Sequence, residues 1–122
     1  MKKRDVHRPA VNGRIGEDLT VYYLTKKGYN ILCRNYRIRG AEIDIIAENG
    51  EFIIFVEVKS HSLTNYVPSA EAVYTGQSER IHKAAEIYLY RNPCELQPRF
   101  DIAAVTLKNN RPYRFEYYDN AF

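Results

Sequence analysis

The nineteen residues Ala41-Glu42-Ile43-Asp44-Ile45-Ile46-Ala47-Glu48-Asn49-Gly50-Glu51-Phe52-Ile53-Ile54-Phe55-Val56-Glu57-Val58-Lys59 constrain the fold more than any other stretch. Two apolar runs flank Asn49-Gly50, the strongest short-range hairpin signal. A two-residue turn there pairs Glu48 with Glu51, Asp44 with Phe55 and Glu42 with Glu57. Side chains alternate along a strand, so Ile43, Ile45, Ala47, Phe52, Ile54, Val56 and Val58 share one apolar face. Glu42, Asp44, Glu57 and Lys59 share the other, with Asp44 diagonal to Glu57 at roughly 7–8 Å. Carboxylates crowded in this way repel unless a cation sits between them. A three-residue loop would slip the register by one and separate Asp44 from Glu57. The residues alone also leave open a solvated outer face on which Lys59 pairs with Glu57 or Glu42.

Around the hairpin the chain alternates helical and extended patterns. Residues 1–12 read as a basic flexible arm and 13–122 as a single domain. Residues 13–27 predict a helix with Leu19, Tyr22 and Tyr23 on one side, stopped by Gly28. A strand follows over 29–37, then the hairpin, then a polar loop from Ser60 to Gly76. Residues 77–91 form the clearest helix, with Ile81, Ala84, Ala85, Tyr88 and Leu89 in one stripe, and Asn92-Pro93 ends it. Strands are predicted over 99–107 and 112–118, with a turn at Asn109-Asn110. The order α-β-β-β-α-β-β, with a strand-helix-strand crossover that brings two strands parallel, predicts an α/β fold. The expected architecture is a mixed central sheet of about five strands with a helix on each face.

A length of 122 residues supports a core without disulfides, and the two cysteines, Cys33 and Cys94, form neither a zinc set nor a nucleophile candidate. No apolar run approaches membrane-spanning length, and the basic start lacks the apolar region of a signal peptide. The chain therefore reads as cytoplasmic, with no membrane partner. Net charge is only +3, but the cations are uneven. Lys2, Lys3, Arg4, Arg8 and Arg14 crowd the start, Arg34, Arg37 and Arg39 precede the acidic hairpin, and Arg80 and Lys83 lie on the later helix. Basic groups flanking an acidic focus suit a phosphate backbone held over a metal. An ordinary basic surface accounts for the charge equally well. The eleven tyrosines read mainly as packing.

Two further polar residues fall on buried helical stripes. Glu17 shares one with Val21 and Leu24, and Gln77 lies one turn before Ile81. A first-turn acid favoured by the helix dipole and a near-cap hydrogen bond are the alternatives for these two.

Gly13-Arg14-Ile15-Gly16-Glu17, Asn35-Tyr36-Arg37, Glu42-Ile43-Asp44-Ile45-Ile46-Ala47, Phe55-Val56-Glu57-Val58-Lys59, Ala84-Ala85, Arg99-Phe100-Asp101 and Asn120-Ala121-Phe122 resemble, in order, the blocks of the YraN family of small bacterial proteins. That family resembles the restriction-endonuclease-like superfamily and, within it, archaeal Holliday-junction resolvases. The resemblance implies a nuclease site of Glu17, Asp44, Glu57 and Lys59, with Gln77 near a glutamine that related nucleases use. It implies Mg²⁺ or Mn²⁺ on Asp44, Glu57 and the Val58 carbonyl, with Glu17 at a second metal or an ordered water. Three departures stand out. Ala41 replaces a usual glycine, Gln77 stands where lysine is frequent, and Ser60-His61 stands where a basic residue commonly follows the lysine. The expectation is a metal-dependent endonuclease acting on DNA, branched or single-stranded among the candidates, in DNA processing or recombination. A resolvase-like role implies a homodimer. The alternatives are a non-catalytic nucleic-acid-binding module of the same fold and a partner-binding domain whose acidic face pairs internally.

Overall fold

A computed structural model of the chain describes residues 11–63 and 78–122. The elements run α1 (Val11–Lys26), β1 (Asn30–Ile38), β2 (Ala41–Glu48), β3 (Phe52–Ser62), α2 (Ser78–Arg91), β4 (Gln97–Lys108) and β5 (Arg111–Tyr118). The five strands form one sheet in the order β1-β2-β3-β4-β5. Only β3 and β4 are parallel, joined by the crossover that contains α2, as the sequence predicts. The fold is α/β, with a mixed sheet and a helix on each face.

Each helix buries one stripe. Leu24 of α1 is fully buried, packed with Ile45, Ala47, Ile54, Val56 and Ala103. Ile81, Ala84 and Ala85 of α2 pack on the opposite cluster, with Ile43, Ile46, Ile53 and Phe55. Burial on both faces explains the near-continuous apolar runs of the central strands. α1 ends as expected at Gly28, whose φ of 97° suits glycine, while Tyr29 N donates back to Leu24 O at 3.0 Å. Two expectations for α1 are corrected. The helix begins at Val11, so the last two residues assigned to the arm are helical. Tyr22 is 62% exposed, because the buried stripe runs through Glu17, Thr20 and Leu24 instead.

The β2–β3 register differs from the expected one by two residues. Glu48 pairs with Ile53 and Ile45 with Val56. The cause lies in the loop, where Asn49 Oδ1 accepts the amides of Glu51 (2.9 Å) and Phe52 (2.8 Å) and Asn49 N donates to Phe52 O at 3.1 Å. This leaves four residues, 49–52, between the paired residues Glu48 and Ile53. A shift of two preserves the facing of every side chain. Continued one step past Ile45–Val56, the register sets Asp44 opposite Glu57 rather than diagonal to it.

One expected face is broken. Ile43 belongs to the α2-side cluster, not with Ile45 and Ala47. Asn35 explains this: its φ is 57°, and it lies between the cross-strand pairs Arg34–Ile45 and Tyr36–Ile43, opposite Asp44. On both strands the alternation slips at that point, so Cys33 and Tyr36, and likewise Ile43 and Ile46, contact the same cluster three positions apart. β3 also runs further than expected. Ser60, His61 and Ser62 pair with Val105, Thr106 and Leu107 of β4, inside the stretch read from sequence as loop.

Candidate active site

The slip at Asn35 sets the geometry of the acidic centre. With the strand alternation interrupted, Asp44 Oδ2 accepts the Val58 amide N–H at 2.7 Å. Its carboxyl therefore sits where β2 and β3 part, beyond their last paired residues, Ile45 and Val56. Desolvation, then the neighbouring Glu57 carboxylate, push Asp44 up to about 8, and Glu42 and Glu17 add to this against the Val58 hydrogen bond. Three other carboxylates thus lie within electrostatic reach of Asp44.

Three of the four have cationic partners. Lys59 Nζ lies 2.9 Å from Glu57 Oε2. Arg34 Nη2 lies 2.8 Å from Glu17 Oε1 and 2.6 Å from Asp18 Oδ1. Arg37 Nε lies 3.4 Å from Glu42 Oε2, across the β1–β2 pair. Asp44 has no cationic partner among the described residues. Asn35 ties the group together. With its amide nitrogen turned to the acids, it donates to Glu17 Oε2 at 3.1 Å and Glu42 Oε2 at 2.9 Å.

Gly16 brings α1 close enough for Glu17 to join. A Cβ there would overlap Ser60 Oγ and press on Val58 Cγ1 at 3.3 Å and Val105 Cγ2 at 3.4 Å. The helix backbone thus rests on the end of β3, and Glu17, next in sequence, is 5% exposed. Beyond Lys59, burial and then the Lys59 charge hold His61 below the usual imidazole range. Arg14 Nε, Ser60 Oγ and His61 Nε2 are buried with no hydrogen-bond partner among the described residues.

Glu17 and Glu57 therefore lie within electrostatic reach of Asp44, and Lys59 sits on Glu57. The bland alternative also holds in part, since Lys59 does pair with Glu57. Gln77 lies outside the described residues, as do Lys2, Lys3, Arg4 and Arg8. All five of Arg34, Arg37, Arg39, Arg80 and Lys83 are exposed, but Arg34 and Arg37 are paired with the acids. Sequence reasoning missed the roles of Asn35, Gly16 and the Val58 amide. A signal existed for Asn35, because asparagine is one of the few non-glycine residues that enter the left-handed region readily.

The side chains here that could hold a cation are the carboxylates of Asp44 and Glu57, with Glu17 within electrostatic reach. Hard oxygens of this kind suit Mg²⁺ or Mn²⁺, and the raised, cation-free Asp44 fits such an ion. Among the described residues no group of three or more His, Cys, Asp or Glu side chains is arranged to hold a metal ion.

The class is thus a small α/β protein with a carboxylate centre at the parting of two central strands. Residues 16–105 match the Uncharacterised protein family UPF0102, and the chain belongs to that family. It is 43% identical to the UPF0102 protein of Carboxydothermus hydrogenoformans over 100 residues, covering 81% of this chain and 85% of the relative. It is 41% identical to that of Dictyoglomus thermophilum over 112 residues (90% and 95%) and 38% identical to that of Geobacter sulfurreducens over 117 residues (95% and 91%). Among the described residues no helix is long and apolar enough to cross a membrane.

Proposed function

We propose that this protein is a metal-dependent endonuclease of the restriction-endonuclease-like class that hydrolyses phosphodiester bonds in DNA. The observation that carries the reading is Asp44, the one carboxyl of the four without a cation among the described residues, where burial beside Glu57 raises it to about 8. A protein has little reason to desolvate an acid among three others unless something positive completes the group.

Asp44, Glu57 and the Val58 carbonyl would hold Mg²⁺ or Mn²⁺, with Glu17 beside them. The bound ion supplies charge neutralisation at the phosphoryl oxygens and a more acidic water. The chain's own residues do the rest. The Val58 amide fixes the Asp44 carboxyl in place. Asn35 holds Glu17 and Glu42 at a set separation. Lys59, 2.9 Å from Glu57, is placed to orient an attacking water and offset charge on the phosphate.

The test is Mn²⁺-dependent nicking of branched duplex, linear duplex, single-stranded DNA and RNA. Wild type should cleave at least one DNA substrate, Asp44→Asn should abolish cleavage, and Lys59→Ala should slow it by about 10²-fold or more. Full activity in Asp44→Asn would remove the assignment. Salt-sensitive binding without any cleavage would favour the non-catalytic binding module.

A further inference from the structure

The sheet register carries the site face beyond the acidic centre. Residues paired across neighbouring strands share a face. Lys59, Ala104 and Glu116 form one such row, and His61, Thr106 and Arg114 the next. Two residues further along β4, Lys108 is on the same face and pairs with Arg111. The pairing passes from Thr106–Arg114 to Leu107–Pro112, so Tyr113 is the extra residue of a bulge. That bulge leaves Tyr113 54% exposed, with Lys108 Nζ 5.7 Å from its ring centroid.

The tip of the β4–β5 hairpin thus gathers Lys108, Arg111 and Arg114, all exposed and with no ion pair among the described residues. Arg34 and Arg37 differ, since their charge is spent on Glu17, Asp18 and Glu42. Asn109 and Asn110, with φ of 54° and 62°, form a tight turn that holds Lys108 and Arg111 side by side. Between this tip and Lys59 lies His61, whose buried Nε2 has no partner among the described residues.

We propose that the β4–β5 hairpin tip, through Lys108, Arg111 and Arg114, is a second contact surface for the sugar–phosphate backbone of a nucleic acid, continuing past His61 the track that starts at Lys59. The inference rests on the nuclease reading for the polarity of the track, but its binding signature stands apart from cleavage. Exposed cations spaced along a strand edge neutralise successive phosphates, and each phosphate neutralised contributes about −0.9 to the salt slope on duplex DNA.

The experiment is fluorescence anisotropy of a labelled DNA duplex, titrated with protein in EDTA over a series of KCl concentrations. The full chain is compared with Lys108→Ala/Arg111→Ala/Arg114→Ala and with the equally charge-depleted Lys26→Ala/Lys27→Ala/Arg91→Ala. The hairpin variant should bind about ten-fold or more weakly, with a slope shallower by about two to three. The control should stay within about two-fold of wild type, since substitutions at such exposed positions are ordinarily mild. An unchanged Mn²⁺-induced melting shift in the hairpin variant would show that the acidic site is intact. A hairpin variant indistinguishable from the control in affinity and slope would overturn the proposal. If wild type cleaves while that holds, only the hairpin inference falls. If the hairpin signature appears but no substrate is ever cleaved, the hairpin inference stands and the nuclease reading falls. Absence of binding by wild type to any DNA or RNA overturns both.

Discussion

Asp44 receives a backbone hydrogen bond from Val58, at 2.7 Å, across two strands that have already stopped pairing. This single contact puts a carboxylate at a position that a regular ladder would give to a carbonyl. It depends on Asn35, opposite, holding a left-handed conformation with φ 57°. The acidic centre is therefore built from a local interruption of the sheet.

The pH dependence of stability follows from Asp44. Its folded form is raised to about 8 by desolvation and Glu57, whereas the unfolded chain releases that proton near the ordinary carboxylate value of about 4. Between these values the folded state binds more protons than the unfolded one, so stability falls as pH rises. The contribution is intact below about pH 4 and lost once pH passes about 8. Urea denaturation from about pH 5 to about pH 9 should show wild type losing on the order of a few kcal/mol relative to Asp44→Asn. Mn²⁺ should shrink that loss. A difference between the two proteins that is flat with pH would contradict the burial of a lone carboxyl.

Gly16→Ala tests the approach of α1 to β3. The new Cβ collides with Ser60 Oγ and crowds Val58 and Val105, so the helix must lift or Ser60 must rotate. We expect a loss of about 1–3 kcal/mol in urea denaturation, accompanied by weaker Mn²⁺ binding because Glu17 moves with the helix. Unaltered stability and unaltered metal affinity together would show that the contact is not what positions Glu17.

Much of this was legible from the residues. The hairpin at Asn49-Gly50, the crossover through α2 and the convergence of Asp44, Glu57 and Lys59 follow from periodicity and turn chemistry. The register was not, because it depends on one side chain, Asn49, capturing two amides rather than one turn type closing on itself. Ser60, His61 and Ser62 read as loop because they are polar, yet β4 gives them a parallel partner. Asn35 and Gly16 act through backbone conformation and close approach, which apolar periodicity does not encode.

Asn35 separates those two contributions. Asn35→Gly keeps the left-handed backbone but removes the amide that bridges Glu17 and Glu42. It should fold with a stability change of about 1 kcal/mol or less and bind Mn²⁺ more weakly. Asn35→Val should cost more than Asn35→Gly, since a β-branched residue resists positive φ. Equal thermal stability of the two variants would argue against backbone conformation as the device.

A second buried polar group serves as a structural control. Asp101 is fully buried, paired with Arg99 Nη2 at 2.8 Å, and accepts from Tyr117 Oη at 2.5 Å and from the Asn120 amide at 2.8 Å. Asp101→Asn should therefore cost about 3–5 kcal/mol, as expected when one partner of a buried pair is lost. Below its lowered melting temperature it should retain Mn²⁺ affinity within about two-fold, because its partners are Arg99, Tyr117 and Asn120 and none of them bonds to Asp44 or Glu57. Selective loss of metal binding in a folded Asp101→Asn protein would tie the two polar groups together and contradict the separation drawn here.

The most direct measurement is the binding of Mn²⁺ itself, by calorimetry or electron paramagnetic resonance, to wild type and to Asp44→Asn at a pH near 8. The account predicts saturable binding by wild type that releases protons as Asp44 ionises, and loss of that site in Asp44→Asn while the variant remains folded. Equal Mn²⁺ affinity in the two proteins, or no binding by wild type, would contradict it.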